Sequence, residues 1–278
     1  MIKPHDDTDS KYVVQALSRA LRVLWTMAEE NHGWTLEQLA QHHDLNKASI
    51  LRILRTLEIE RVVLREDDTY VLGPRVLDLS HAYLSSLELH SAARPFMEQL
   101  AADTGQTVSL AVLDGLEIIY IGFEKANREL DIQDKVGARH PANATALGKV
   151  MLADRDRGEL EEELRQYDLP RLTDRTIYMT DELISHLERV RERGYALDDE
   201  ERGIGIRCVA APIRRADGRV IAGISIAGAI FHMGNDVIAD HIQSVRVAAD
   251  AIAGRFGFDP AKPRDSVFAS DVSKTATD

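Results

Sequence analysis

Two short stretches with helical periodicity, joined by a tight turn and the second free of carboxylates, constrain this chain more than any other feature. The first is Leu36-Glu37-Gln38-Leu39-Ala40; the second runs Leu45-Asn46-Lys47-Ala48-Ser49-Ile50-Leu51-Arg52-Ile53-Leu54-Arg55-Thr56-Leu57. Wound as a helix, the second puts Ile50, Ile53, Leu54 and Leu57 on one face, the spacing of a stripe that packs on a core. Ala48, Arg52 and Arg55 fall opposite, Ser49 and Thr56 lie at the flank, and Lys47 sits in the first turn. A cationic face bearing small and hydroxyl side chains suits a helix lying in the DNA major groove. An ordinary surface helix with solvated arginines would look the same in isolation.

The flanking segments separate those two readings. Upstream, Val14 to Glu30 carries Leu17, Ala20, Leu21, Leu24, Met27 and Ala28 at helical spacing, which predicts a first helix packed against the pair. Thr35 followed by Gln38 is a capping-box pattern, and Asn46 is a good N-cap for the second helix of the pair. Downstream, Val62-Val63-Leu64-Arg65, a turn at Glu66-Asp67-Asp68, and Thr69-Tyr70-Val71-Leu72 predict a hairpin. Three helices followed by a hairpin make a winged helix-turn-helix. Its expected DNA contacts are Lys47, Ala48, Ser49, Arg52 and Arg55 from the helix and Arg65 from the wing.

At 278 residues the chain is long enough for two domains, and 44% hydrophobic residues can fill both cores. Its formal net charge of −12 repels nucleic acid as a whole. DNA binding must then come from a local basic face and be salt-sensitive. A single cysteine excludes an internal disulfide and fits a reducing compartment. No apolar run has the length of a membrane helix, and Met1-Ile2-Lys3-Pro4-His5-Asp6 has no signal-peptide core, so a cytoplasmic protein without membrane contact is expected.

After Gly73-Pro74, helical periodicity returns from Arg75 to Leu89 through Val76, Leu79, Tyr83 and Leu87, and a second helix is read from Ala92 to Thr104. Such a helix between two domains can link them and pair with its twin in a dimer. The period then changes. Thr107 to Leu113 and Glu117 to Phe123 read as strands around a turn at Asp114-Gly115, and Ile132 with Val136 as part of a further strand. Helices are expected at Ala144–Leu152, Glu159–Gln166, Asp181–Arg193 and Ile238–Phe256, with strands at Tyr195–Asp198, Cys208–Arg214 and Val220–Ala227. This order predicts an α+β fold with helices against a curved, mainly antiparallel sheet. The expected division is a DNA-binding domain over 10–73, a linker helix over 74–90, a second domain over 91–258, and a disordered polar tail over 259–278.

The span from about Val13 to Phe256 resembles the IclR family of bacterial transcriptional regulators. The match rests on Val14-Gln15-Ala16-Leu17-Ser18-Arg19-Ala20-Leu21-Arg22-Val23-Leu24, on the helix pair, and on Tyr70-Val71-Leu72-Gly73-Pro74-Arg75. Further on, Ala144-Thr145-Ala146-Leu147-Gly148-Lys149 looks like the family's pocket-helix motif. Arg193-Gly194-Tyr195-Ala196-Leu197-Asp198-Asp199-Glu200-Glu201 with Gly205-Ile206-Arg207-Cys208-Val209-Ala210-Ala211-Pro212 looks like its signature segment. The resemblance implies a GAF-like effector-binding domain, dimers that often pair into tetramers, near-palindromic operators, a small carboxylate effector, and regulated genes of catabolism, with repression the commoner sign and activation the alternative. It implies no cofactor.

By the same resemblance the effector contacts fall at Ala146, Leu147, Asp198, Ile206, Cys208, Ser225 and Ala227. The chemistry agrees in part, because a helix that opens on small residues leaves its first N–H groups open to a carboxylate. Small residues at Ala146 and Gly148 equally suit close packing on a sheet. Asp198 can accept a ligand hydroxyl or hold a strand end, and Cys208 reads as a packed wall rather than a reactive thiol. Family members that bind the smallest oxo-acids carry a second serine where this chain has Ala227, which points away from glyoxylate or pyruvate toward a larger or less polar acid. An enzyme is disfavoured, since HExxH, CxxC, GxSxG and Walker-type patterns are all missing. A helix-turn-helix serving protein contacts alone is disfavoured by the outward Arg52 and Arg55.

Overall fold

The computed structural model describes residues 13–29, 32–86, 88–125 and 134–259, with the backbone alone at 81–86. The chain divides into two units, the first ending at Ser86. In that first unit α1 (Gln15–Glu29), β1 (Trp34–Thr35), α2 (Leu36–His42), α3 (Lys47–Ile59), β2 (Val63–Glu66), β3 (Thr69–Leu72) and α4 (Arg75–Ser86) follow in order. Local chemistry fixes the helix starts. Thr35 Oγ1 accepts from Gln38 N–H at 3.2 Å while Gln38 Oε1 accepts from Thr35 N–H at 2.8 Å, a reciprocal capping box. Asn46 Oδ1 accepts from Ser49 N–H at 2.8 Å and starts α3.

The expected stripe on α3 forms the core. Ile50 and Leu54 are fully buried with Val23, Leu39 and Val63, and Ile53 and Leu57 pack at the margin. The contribution of α1 differs from the sequence reading. Val23, Thr26 and Met27 face inward with Leu24 beside them, whereas Leu17, Leu21 and Ala28 are exposed and Trp25 is 63% exposed. This helix carries two apolar stripes, and periodicity alone does not say which of them meets the core.

The wing is also sharper than expected. β2 and β3 pair from Val63↔Leu72 to Glu66↔Thr69 around a two-residue turn at Asp67-Asp68, with Asp67 at φ +50°, a left-handed conformation that aspartate tolerates. β1 adds a third strand through Trp34↔Tyr70, giving the order β1-β3-β2. Two residues carry no readable period, so this strand escaped the sequence.

The second unit contains α5 (Glu88–Thr104), β4 (Thr107–Asp114), β5 (Glu117–Glu124), β6 (Arg139–Pro141), a 3-10 turn at Ala142–Ala144, α6 (Ala146–Leu152), α7 (Arg157–Arg165), α8 (Thr180–Arg193), β7 (Ala196–Asp199), β8 (Ile206–Arg214), β9 (Val220–Ala229) and α9 (Ile238–Arg255). Its sheet has the order β6-β5-β4-β9-β8-β7 with every pairing antiparallel. α5 begins four residues before the expected Ala92 and runs through Pro95, because Leu89, Ala93, Met97 and Leu100 form one buried stripe that outweighs the lost hydrogen bond. The sixth strand is Arg139–Pro141; Val136 lies in the turn before it, and Ile132 and the tail from Pro260 onward fall outside the described residues.

Both faces of the sheet are covered. Along β9, Gly223, Ser225 and Ala227 alternate with Ile224 and Ile226, and all five are buried. α6 lies on the Gly223 side, where a Cβ would come within 2.9 Å of the Leu147 side chain. At Gly148 a Cβ would stand 2.2 Å from Ala142 O and 2.3 Å from Ala142 Cα. Only glycine lets α6 seat on the 3-10 turn, so Gly148 serves backbone packing.

Candidate functional site

Strand register assembles the floor of a cavity in the second unit. Asp198, Cys208 and Ala227 are successive cross-strand partners on β7, β8 and β9. Two residues along the strands, Ala210, Ser225 and Ser109 form the parallel row on β8, β9 and β4. Partners in a row share a face, and a two-residue step returns to that face. Thr145, Ala146 and Leu147 at the start of α6 lie over this floor, and Tyr120, Asp134 and Arg202 complete the wall. The space they enclose is small and opens to solvent on one side.

Six of the seven expected effector residues, Ala146, Leu147, Asp198, Cys208, Ser225 and Ala227, therefore line one cavity. Ile206 does not; at the start of β8 it is half-buried and packs at the margin of the core. Ser109, Tyr120, Asp134, Thr145 and Arg202 were missed. Ser109 had a signal, a hydroxyl set between apolar residues inside a strand. Asp134 and Arg202 had none, because their relation needs the fold.

Buried charge organises the rim. Asp198 Oδ1 accepts from Glu201 N–H at 2.8 Å and from Arg202 N–H at 3.2 Å, so this carboxylate folds the turn that follows β7. Burial pushes its carboxyl up to about 6, against the opposing pull of Lys149 and those backbone N–H groups. Lys149 is fully buried in α6, and its ammonium donates to Leu197 O and Glu201 Oε1, each at 2.5 Å. Burial and the nearby Asp198 raise the Cys208 thiol, which fits an inert wall rather than a nucleophile. Burial likewise raises the Tyr120 phenol. Asp134 is held below its ordinary range: burial opposes this, but the His140 and Arg202 contacts outweigh it. At the start of α6 the Gly148 N–H is capped by Thr145 Oγ1 at 3.0 Å, so that group does not face the cavity as an open donor.

The outer face of α3 is exposed at Lys47, Ala48, Arg52 and Arg55, with Ser49 half-buried. Lys47 pairs with Glu37 at 3.0 Å, and Arg55 with Glu58 at 2.9 Å, a carboxylate one residue past the acid-free run. Arg65 donates to Asp67 O at 2.9 Å and lies 3.7 Å from Asp68. Among the described residues no carboxylate pairs with Arg52. Exposed pairs of this kind contribute about 0–1 kcal/mol, weak enough for a phosphate to displace. No described helix is long and apolar enough to cross a membrane, and no described group of histidine, cysteine and carboxylate side chains could hold a metal.

Comparison with known proteins gives a family match for each unit. Residues 16–67 match the IclR helix-turn-helix domain, and residues 81–254 match the C-terminal domain of the bacterial transcriptional regulator IclR. The HTH-type transcriptional regulator KdgR of Dickeya chrysanthemi is 32% identical over 247 residues, covering 88% of this chain and 81% of that protein. A transcriptional regulator from Rhodococcus sp. RHA1 is 36% identical in structure-based comparison, with a TM-score of 0.78 over 88% of this chain and 99% of that one. The repressor BlcR of Agrobacterium tumefaciens is 31% identical, with a TM-score of 0.58 over 89% and 99% of the two chains. These are transcriptional regulators, not enzymes.

The environment of Asp198 predicts a pH dependence. A carboxyl at about 6 in the fold against an ordinary 3.8 binds its proton more tightly when native. The stability it confers is full below pH 3.8 and is lost as pH rises toward 6, by about 3 kcal/mol. An asparagine at this position would keep the oxygen acceptor and cannot ionise. In urea unfolding, Asp198→Asn should gain on the wild type by about 2–3 kcal/mol between pH 4 and pH 7. A difference that stays constant with pH would contradict the assignment.

Proposed function

We propose that this chain, which belongs to the IclR family of bacterial transcriptional regulators, is a cytoplasmic repressor of catabolic genes that senses a small organic acid. The observation that carries the reading is the convergence of six expected effector residues on one cavity, in a different unit from the helix-turn-helix. A regulator needs those two parts: a surface that reads DNA, and a site whose occupancy biases that surface.

On the DNA side, α3 is the recognition helix. Arg52 reaches a base edge, Lys47, Ala48, Ser49 and Arg55 lie along the groove, and Arg65 contacts the backbone from the wing. A homodimer, alone or paired into a tetramer, presents two such helices to half-sites of a near-palindromic operator, about one helical turn or a multiple apart. On the ligand side, Ser109, Thr145 and Ser225 offer hydroxyls, Asp198 accepts from a ligand hydroxyl, and Ala146, Leu147, Cys208 and Ala227 supply an apolar wall. Ile206 acts from the margin. Ligand entry shifts the balance between DNA-competent and DNA-incompetent arrangements only as far as its affinity for the two differs. The linker segment from Arg75 to Leu89 carries the signal. The name of BlcR supports repression as the sign.

Two variants separate the halves of this reading. Arg52→Ala should weaken operator binding by about 1–3 kcal/mol at fixed salt and leave any acid-induced thermal shift unchanged. Ser225→Ala should blunt the acid response and leave DNA affinity without acid unchanged. The screen behind both is thermal denaturation against keto, aromatic, sugar and ureido acids; a ligand at ~100 times its Kd stabilises the fold by about 2.7 kcal/mol. Unaltered operator affinity in Arg52→Ala would remove that residue from the interface. A flat screen would remove the sensing half.

A further inference from the structure

We propose that Arg202 is the specificity-determining residue of the cavity: it receives the acid group of a small monocarboxylate, which takes the place that Asp134 holds on its guanidinium. The inference rests on the cavity being the effector site. Among the described lining residues Arg202 is the one guanidinium, and no lysine accompanies it there. A carboxylate entering the cavity therefore meets one cationic side chain, and that cation is already engaged.

The engagement has the form of a stand-in ligand. Arg202 Nη2 donates to Asp134 Oδ1 at 2.8 Å. Oδ2 lies 2.7 Å from Nη1 but accepts no aligned hydrogen bond, so the fork is filled imperfectly. A free carboxylate can align with both guanidinium N–H groups, a geometry that a tethered aspartate does not achieve here. Exchange does not strand Asp134, because His140 Nε2 lies 2.9 Å from its Oδ1 and remains as a partner. Nor is the guanidinium sealed off: the Arg202 side chain keeps 19% of its surface against 9% for Asp134.

Charge counting selects one acid group rather than two. The groups acting on the Arg202 guanidinium are Tyr120, Asp134 and Cys208, and Asp198, which holds the Arg202 backbone N–H, lines the same cavity. A second carboxylate on the ligand would lie against two aspartates with no further cation among the described lining residues. The hydroxyls of Ser109, Thr145 and Ser225 instead suit an uncharged polar substituent at the ligand's other end. Asp134 and Arg202 are 68 residues apart in the sequence, so the pair ties two connections of the sheet together at the cavity wall.

Opposite responses of the two partners test the idea. Full-length wild type, Arg202→Gln and Asp134→Asn are titrated calorimetrically with 4-hydroxybenzoate, D-gluconate and 2-oxobutyrate, and with methyl 4-hydroxybenzoate as the uncharged control. Removing the internal competitor should make Asp134→Asn bind at least one of the acids about tenfold more tightly than wild type. Arg202→Gln should bind it at least about tenfold more weakly, and the ester should not distinguish the three proteins. Arg202→Lys, which keeps the charge without the fork, should fall between and guards against misfolding of the glutamine variant. A pair that only braces the fold would weaken binding in both variants, and that result overturns the proposal. So does acid binding that survives in Arg202→Gln but is lost in Ser225→Ala, which would leave the cavity standing as the effector site. If no acid binds any of the proteins at millimolar concentration, both readings fall together.

Discussion

The ammonium of Lys149 is the contact on which the geometry of the second unit's site depends. It is fully buried, and a buried charge without a partner is too costly to survive. Its two acceptors, Leu197 O and Glu201 Oε1, lie on either side of Asp198, so satisfying one cation fixes the end of β7 and the turn after it against α6. Asp198 Oδ1 completes the turn from within. The position of Arg202 follows, since its own N–H is one of those that Asp198 holds. Removing one partner of such a pair typically costs about 3–5 kcal/mol. The network thus sets where the cavity's polar groups stand while contributing little net stability itself.

A different balance governs the DNA-binding unit. There the core is small and apolar, and the starts of α2 and α3 are set by local caps rather than buried charge. On the outer face of α3, Lys47 and Arg55 stand in exposed pairs with Glu37 and Glu58, whereas Arg52 has no carboxylate partner among the described residues. Pairs this weak leave the groups solvated and open to exchange with another anion. A chain with a net charge of −12 can bind DNA through such a face, at the cost of strong salt dependence.

Much of this was legible in the chain. The stripe Ile50, Ile53, Leu54, Leu57 could be read because its period and its burial coincide, and the caps because Thr35 and Asn46 act within three residues. On α1, by contrast, Leu17, Leu21 and Trp25 form a second stripe as apolar as the buried one, and only packing chose between them. In the second unit, family motifs ordered along the sequence pointed to Asp198, Cys208 and Ser225, and the strand register then placed them in adjacent rows. The Arg202–Asp134 contact had no such route. Neither residue belongs to a periodic element, and their approach depends on how the sheet's two ends meet around the cavity.

Occupancy of the cavity should change how the recognition helix binds DNA. The direct measurement is the affinity of the full-length protein for an operator fragment that it selects from random DNA, with and without a saturating acid that stabilises it, at one fixed salt concentration. A coupling of about 1–3 kcal/mol, seen as a roughly 5- to 150-fold change in operator affinity, is the predicted result. Equal affinities with and without the acid would contradict it.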